Sequence, residues 1–178
     1  SHIANKFPKH QVVWKPDILL PVEDPEEWAG PLLFIRNITY PSGSIFAFSV
    51  KDSELEQSHD ALKELLHPIS NKDVLINSTV IEEHDFIHGA KIVIQTLRGG
   101  SFRPNTLFLT IGEDPRKDDN ISKLVSIASA NELSVLILRQ HTRVAFGMQN
   151  DVNVWLRDKS PNWHLTILIA LQINNWNE

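Results

Sequence analysis

The stretch Asn105-Thr106-Leu107-Phe108-Leu109-Thr110-Ile111 decides the fold, read with the helical stripe Ile121, Leu124, Val125, Ala128 and the segment Ser134-Val135-Leu136-Ile137-Leu138-Arg139-Gln140 that follow it. The outer two segments are short, apolar and rich in strand-forming residues. The middle one repeats at the three- and four-residue spacing of a helix face. Strands apolar on both faces belong in a parallel sheet whose crossovers are helices, so this unit reads as strand, helix, strand.

The same alternation extends outward in both directions. Strands are expected over residues 17–22, 45–50, 74–81, 105–111, 134–140 and 152–157. Helical stripes stand between them at Leu62, Leu65, Leu66, Ile69 and at Phe86, Ala90, Val93, Ile94, Leu97. Asp24-Pro25-Glu26-Glu27 has the chemistry of a helix start, with an oxygen cap, a proline and acidic residues in the first turn. Pro31 would break a helix that continued through it, so a separate turn is expected here, with the long helix running from Gly30-Pro31 to about Thr39. Asp118 or Asp119 can cap a helix starting near Asn120, and Ser160-Pro161 can open a last helix through Ile173. The expectation is an open, mainly parallel α/β sheet with helices on both faces, right-handed crossovers and strand order 3-2-1-4-5.

The strand at 152–157 leads to an apolar helix, Trp163 to Ile173, with no strand after it. A second α/β lobe is therefore expected to begin near Asp151. The organisation read from the chain is a first lobe over 1–141, a hinge over 142–150 around Gly147, and the beginning of an incomplete second lobe over 151–178.

Composition narrows the function. The chain of 178 residues is 42% apolar and 22% charged, the balance of an ordinary folded domain, and its net charge of −5 with scattered Lys and Arg disfavours nucleic acid as a partner. It has no cysteine, which removes disulfides, thiolate metal sites and a cysteine nucleophile together. No apolar run approaches the ~18 residues of a membrane span, and Ser1-His2-Ile3 has the look of an expression scar.

In an open parallel sheet ligands bind at the carboxyl ends of the strands. After the first strand stand Glu23, Asp24, Glu26 and Glu27 with no glycine before Gly30, a loop that would repel phosphate. After the fourth comes the mixed-charge stretch 112–119, where Arg116 and Lys117 could touch an anion but a solvated loop is the ordinary reading. No Walker or GxGxxG pattern occurs. His84 and His88, beside Glu82, Glu83 and Asp85, have the i, i+4 spacing of metal ligands on one helical face, without a third ligand defined by pattern; two incidental histidines at a capped helix start explain them as well. Ser42-Gly43-Ser44 and Ser101 after Gly99-Gly100 sit in turn chemistry rather than in a nucleophile elbow. No catalytic, cofactor-binding or metal residue is assigned. Of the five tryptophans, Trp155, Trp163 and Trp176 are candidate interface residues, facing either missing structure or a second subunit.

Three segments, with a shorter fourth, carry a family resemblance. Trp14-Lys15-Pro16-Asp17-Ile18-Leu19-Leu20 and Gly30-Pro31-Leu32-Leu33 resemble the Trp-Arg-Pro and Arg-Pro-Ala-Leu segments of the cytosolic carboxy-terminal domain of the cation-chloride cotransporters. Arg103-Pro104-Asn105-Thr106-Leu107-Phe108-Leu109 is similar to its Lys-Pro-Asn-Thr-Leu segment and is the most specific of the matches. Asn153-Val154-Trp155-Leu156-Arg157-Asp158 resembles the Asp-Val-Trp-Trp segment that opens its second lobe. Lys159-Ser160-Pro161-Asn162-Trp163 departs from the Asp-Gly-Gly-Leu turn of animal members, and a prokaryotic member is the simpler reading. The resemblance implies two lobes related to universal stress proteins, on the cytoplasmic side of the membrane. It implies a non-catalytic regulatory and dimerisation domain without cofactor, partnered by its own transmembrane transport domain, that domain's intracellular loops and a second copy. Sodium, potassium and chloride would be carried by the membrane part. The alternative from another class is a nucleotide-sensing domain of the universal stress protein type.

Overall fold

The computed structural model of the protein describes residues 16–39, 43–70, 73–111, 118–140 and 150–155. Five strands, β1 (Asp17–Pro21), β2 (Ser44–Lys51), β3 (Leu75–Glu82), β4 (Thr106–Ile111) and β5 (Ser134–Gln140), pair in parallel, and β6 (Asn150–Trp155) lies antiparallel on β5. The order across the sheet is β3-β2-β1-β4-β5-β6, which contains the expected 3-2-1-4-5 arrangement. Strand ends fall within a residue or two of those expected. The strand expected at 152–157 runs from 150 to 155 and extends the same sheet at its edge.

Four helices connect the parallel strands: α1 (Ala29–Thr39), α2 (Leu55–Leu66), α3 (Phe86–Arg98) and α4 (Asp118–Ala130). The proline at position 31 acts as anticipated. A 3-10 turn, Pro25–Trp28, takes up the residues after β1, and α1 follows it with Pro31 in its first turn, where a missing N–H costs nothing.

Alternation along the strands divides the core in two. Ile18 and Leu20 of β1, Ile45 and Ala47 of β2, Phe108 of β4 and Leu136 and Leu138 of β5 pack with Leu32, Phe34 and Ile35 of α1 and with Leu62 and Leu66 of α2. Leu19, Phe48, Leu107, Leu109, Val135 and Ile137 face the other way, against Ala90, Val93 and Ile94 of α3 and Leu124 and Ala128 of α4. Two helices per face is the consequence of the strand order reversing between β1 and β4. Gly89 of α3 lets that helix settle on β2: a Cβ there would stand 2.7 Å from Cγ1 of Val50.

Candidate functional site

The reversal of strand order leaves a crevice between the carboxyl ends of β1 and β4, the place where open α/β sheets hold ligands. Its walls are Pro21 at the end of β1 and Glu23 after it, Glu27 and Trp28 of the 3-10 turn, Leu109 and Thr110 of β4, Phe86 at the start of α3, and Asn120, Ile121 and Leu124 of α4. The space enclosed among these described residues is about 30 Å³, room for about one water.

Large apolar side chains account for that small volume. Trp28 is buried, its ring centroid 5.9 Å from that of Phe108, and the Phe34 ring centroid is also 5.9 Å from that of Phe108. The three rings form a tilted cluster under the crevice, a favourable aromatic geometry. The backbone above them is engaged by β2: Val22 N–H donates to the Phe48 carbonyl at 2.8 Å, the Ser49 hydroxyl donates to the Val22 carbonyl at 2.8 Å, and Lys51 Nζ donates to the Glu23 carbonyl at 3.2 Å.

The helix starts that a phosphate would use carry the chain's own carboxylates. Asp24 Oδ1 accepts from the Glu26 N–H at 3.1 Å at the 3-10 turn. At α3, Asp85 Oδ1 accepts from the N–H groups of Ile87 and His88, at 2.9 and 3.2 Å. Aspartates in these positions satisfy the end amides and oppose an incoming anion. Arg116 and Lys117 of the fourth loop lie outside the described residues.

The two histidines do not share a helical face. Asp85 is the N-cap of α3, so His84 stands before the helix and only His88 is inside it. His84 Nδ1 lies 3.2 Å from Asp52 Oδ2, joining the loops after β2 and β3, while His88 Nδ1 lies 3.4 Å from Glu83 Oε2. The hydrogen bond with His84 holds the Asp52 carboxyl below its ordinary range. The backbone N–H of Asp85, then the His88 ring, does the same for Glu83. No group of three or more His, Asp or Glu side chains suited to a metal ion occurs among the described residues.

The remaining candidates are dispersed. Ser44 is buried at the amino end of β2, where its hydroxyl donates to the Asp17 carboxylate. Ser101 is exposed after α3, and Ser42 lies outside the described residues. The backbone of Trp155 is opposite Val135 in the β5–β6 ladder; Trp163 and Trp176 lie outside the described residues.

A cluster that sequence reading missed sits at the opposite end of the sheet. Asn105 Oδ1 accepts from the Asp17 N–H at 3.0 Å and from the Thr106 hydroxyl at 2.8 Å, and the Asn105 carbonyl accepts from the Ser134 N–H at 3.0 Å. The one available signal was its place in the Pro-Asn-Thr-Leu segment, which marks the residue but not its reach.

Comparison with known proteins bears on what this scaffold serves. No curated protein matches the chain. Among solved structures it is similar to the crystal structure of the cytoplasmic domain of a prokaryotic cation chloride cotransporter, at 31% identity and a TM-score of 0.62, over 75% of this chain. The chain spans about half the length of that domain, 49%. No described helix is long and apolar enough to cross a membrane. A family model, "prokaryotic cation-chloride cotransporter, C-terminal domain, 1st", matches residues 20–146, from the first strand to beyond the fifth; on this extent of agreement, the chain belongs to the family of prokaryotic cation-chloride cotransporter C-terminal domains.

Proposed function

We propose that this chain is the first part of a non-catalytic regulatory and dimerisation domain, which supports ion transport by the membrane domain to which it is joined. The observation that carries the reading is the narrow switch-point crevice among the described residues. A domain with this sheet order would be expected to work there on a ligand, yet the space is about 30 Å³ where small-molecule sites are several hundred. Its rim carries Glu23 and Glu27, and nearby helix-start amides are held by Asp24 and Asp85. What remains for such a scaffold is to present surfaces to other protein.

On this reading the domain lies on the cytoplasmic side of the membrane and contacts the intracellular loops of its own transport domain. The second lobe, expected from residue 151, would follow β6, whose strand still belongs to the first sheet. Trp155, Trp163 and Trp176 are the residues proposed for an interface with further structure or a second copy. Sodium or potassium would move with chloride in symport through the membrane domain, not through this one.

Calorimetric titration with ATP tests the first half of this reading. No saturable heat at micromolar to millimolar nucleotide is expected; stoichiometric binding would favour the nucleotide-sensing alternative. Trp155→Ala in the intact transporter tests the second half, with weaker association and slower chloride-dependent uptake expected. Unchanged association and uptake with folding preserved would contradict the role given to Trp155.

A further inference from the structure

The sheet has two edges, and β6 occupies one of them. On the other, β3 runs for eight residues, Leu75–Glu82, in unbroken register with β2, and among the described residues no element pairs with its outer side. Edge strands that remain in solvent are usually short, or carry lysine, proline or a bulge, because an open row of amides and carbonyls recruits another strand. The β3 sequence, Leu-Ile-Asn-Ser-Thr-Val-Ile-Glu, carries a charge only at its last residue, Glu82, and no lysine, proline or bulge.

The phase of that edge follows from one hydrogen bond. Glu83 N–H donates to the Lys51 carbonyl of β2 at 3.0 Å. Backbone groups alternate in direction along a strand, so Ile76, Ser78, Val80 and Glu82 present their N–H and C=O groups outward.

We propose that a second copy of this chain pairs with this edge, β3 antiparallel to β3, about a two-fold axis through Ser78. The inference rests on the dimerisation reading above and gives it a location. A two-fold contact has to be self-complementary, and this register is. It sets Ile76 opposite Val80 of the partner subunit, Asn77 opposite Thr79 of the partner subunit, and Leu75, 61% exposed in the single chain, opposite Ile81 of the partner subunit. Centring on Thr79 instead would set Ile76 against Glu82 of the partner subunit and Leu75 against Glu83 of the partner subunit.

Charge on α2 agrees with the same axis. This helix packs on β2 and β3, and its outer residues Glu56, His59, Asp60, Lys63 and Glu64, with His67 just after its end, border open hollows of about 420 and 560 Å³, the first floored by Thr79 and Val80. Thr79 and Val80 lie about 5 Å along the strand from Ser78, and at about 1.5 Å of helix rise per residue the axis passes level with Ala61 and Leu62. Joining the sheets brings the two α2 helices side by side and antiparallel, at about the 10 Å spacing of ordinary helix packing. Asp60 then faces Lys63 of the partner subunit, His59 faces Glu64 of the partner subunit, and Glu56 faces His67 of the partner subunit. An acid meets a base at each place.

The absence of cysteine makes the test direct. In an antiparallel pair that exchanges hydrogen bonds the Cα atoms stand about 5.5 Å apart, within disulfide reach. Ser78→Cys should therefore form a covalent dimer on mild oxidation. Asn77→Cys, whose two copies would be offset along the strands, and Ser126→Cys on the exposed side of α4 should not. Asp60→Lys should weaken association measured by light scattering, and Lys63→Asp in the same chain should restore it. A chain that dimerises without a Ser78→Cys link overturns the edge assignment while leaving dimerisation standing. A chain that is monomeric at all concentrations and forms no link overturns both. Slow exchange of the Ile76, Ser78 and Val80 amides in a dilute monomer would show that another segment of the chain covers the edge, and would also overturn the proposal.

Discussion

Asn105 and Asp17, 88 residues apart in sequence, are joined twice: the Asp17 N–H donates to Asn105 Oδ1 at 3.0 Å, and the Asn105 N–H donates to the Asp17 carbonyl at 2.9 Å. The side chain extends the β1–β4 ladder beyond its last backbone pair, at the point where strand order reverses. Through its carbonyl the same residue also receives Ser134 at the start of β5. Three strands of a sheet assembled from distant segments therefore share one fastening. Asn105→Ala should cost about 1–3 kcal/mol, because it removes two side-chain bonds and leaves the part-buried Asp17 amide without its acceptor. Urea unfolding checks this: the midpoint should fall with the slope unchanged.

The contact between Gly89 and Val50 gives a second prediction, with an informative sign. On helix propensity alone Gly89→Ala would gain about 1 kcal/mol. The new Cβ, however, would lie 2.7 Å from Val50 Cγ1 and 2.8 Å from Val50 Cγ2, inside the packed face beneath α3. Overpacking of this kind costs about 1–3 kcal/mol, so the single substitution should destabilise. In a double-mutant cycle, Val50→Ala should remove most of the cost of Gly89→Ala, since the two methyl groups are gone and only Val50 Cβ, 3.3 Å away, remains.

Protonation should release the loops after β2 and β3 from each other. Asp52 is held below its ordinary value first by the hydrogen bond with His84, and Glu83 first by the Asp85 N–H. A folded-state value below the unfolded one means that each contribution is present above the unfolded value, about pH 4, and is lost as pH falls through the folded one. Asp52 is solvent-exposed and Glu83 is part-buried at the surface, so the effect on global stability is small and the local titration is the better observable. His84→Ala should raise the Asp52 midpoint in a carboxyl-resolved NMR titration and leave that of Glu83 in place. An Asp52 midpoint that does not move would contradict the pairing.

Much of the scaffold was legible because apolar period is a local property. Runs such as Leu107-Phe108-Leu109 and Val135-Leu136-Ile137 announce buried strands, and the stripe from Phe86 to Leu97 announces α3 to within a residue. Pro31 was informative in the same way, since a ring without an N–H is tolerated in few places. Three features needed coordinates. The pairing of β6 is antiparallel, and alternation within a strand carries no information on the direction of its neighbour. The His84–His88 spacing resembles a ligand pair until Asp85 is seen to take the cap, which leaves His84 outside the helix and turns it toward Asp52. That β3 is an edge strand among the described residues is a property of the whole sheet order, and its own residues read like those of any strand.

Chloride-dependent cation uptake by the intact transporter, reconstituted with and without this domain, tests the central claim most directly. On the proposed reading, in which the ions would pass through the membrane part alone, deleting the domain is expected to slow uptake several-fold at equal amounts of inserted protein while leaving the choice of cation unchanged. Uptake that keeps its full rate without the domain would contradict a regulatory role, and a changed cation preference would contradict its separation from the transport path.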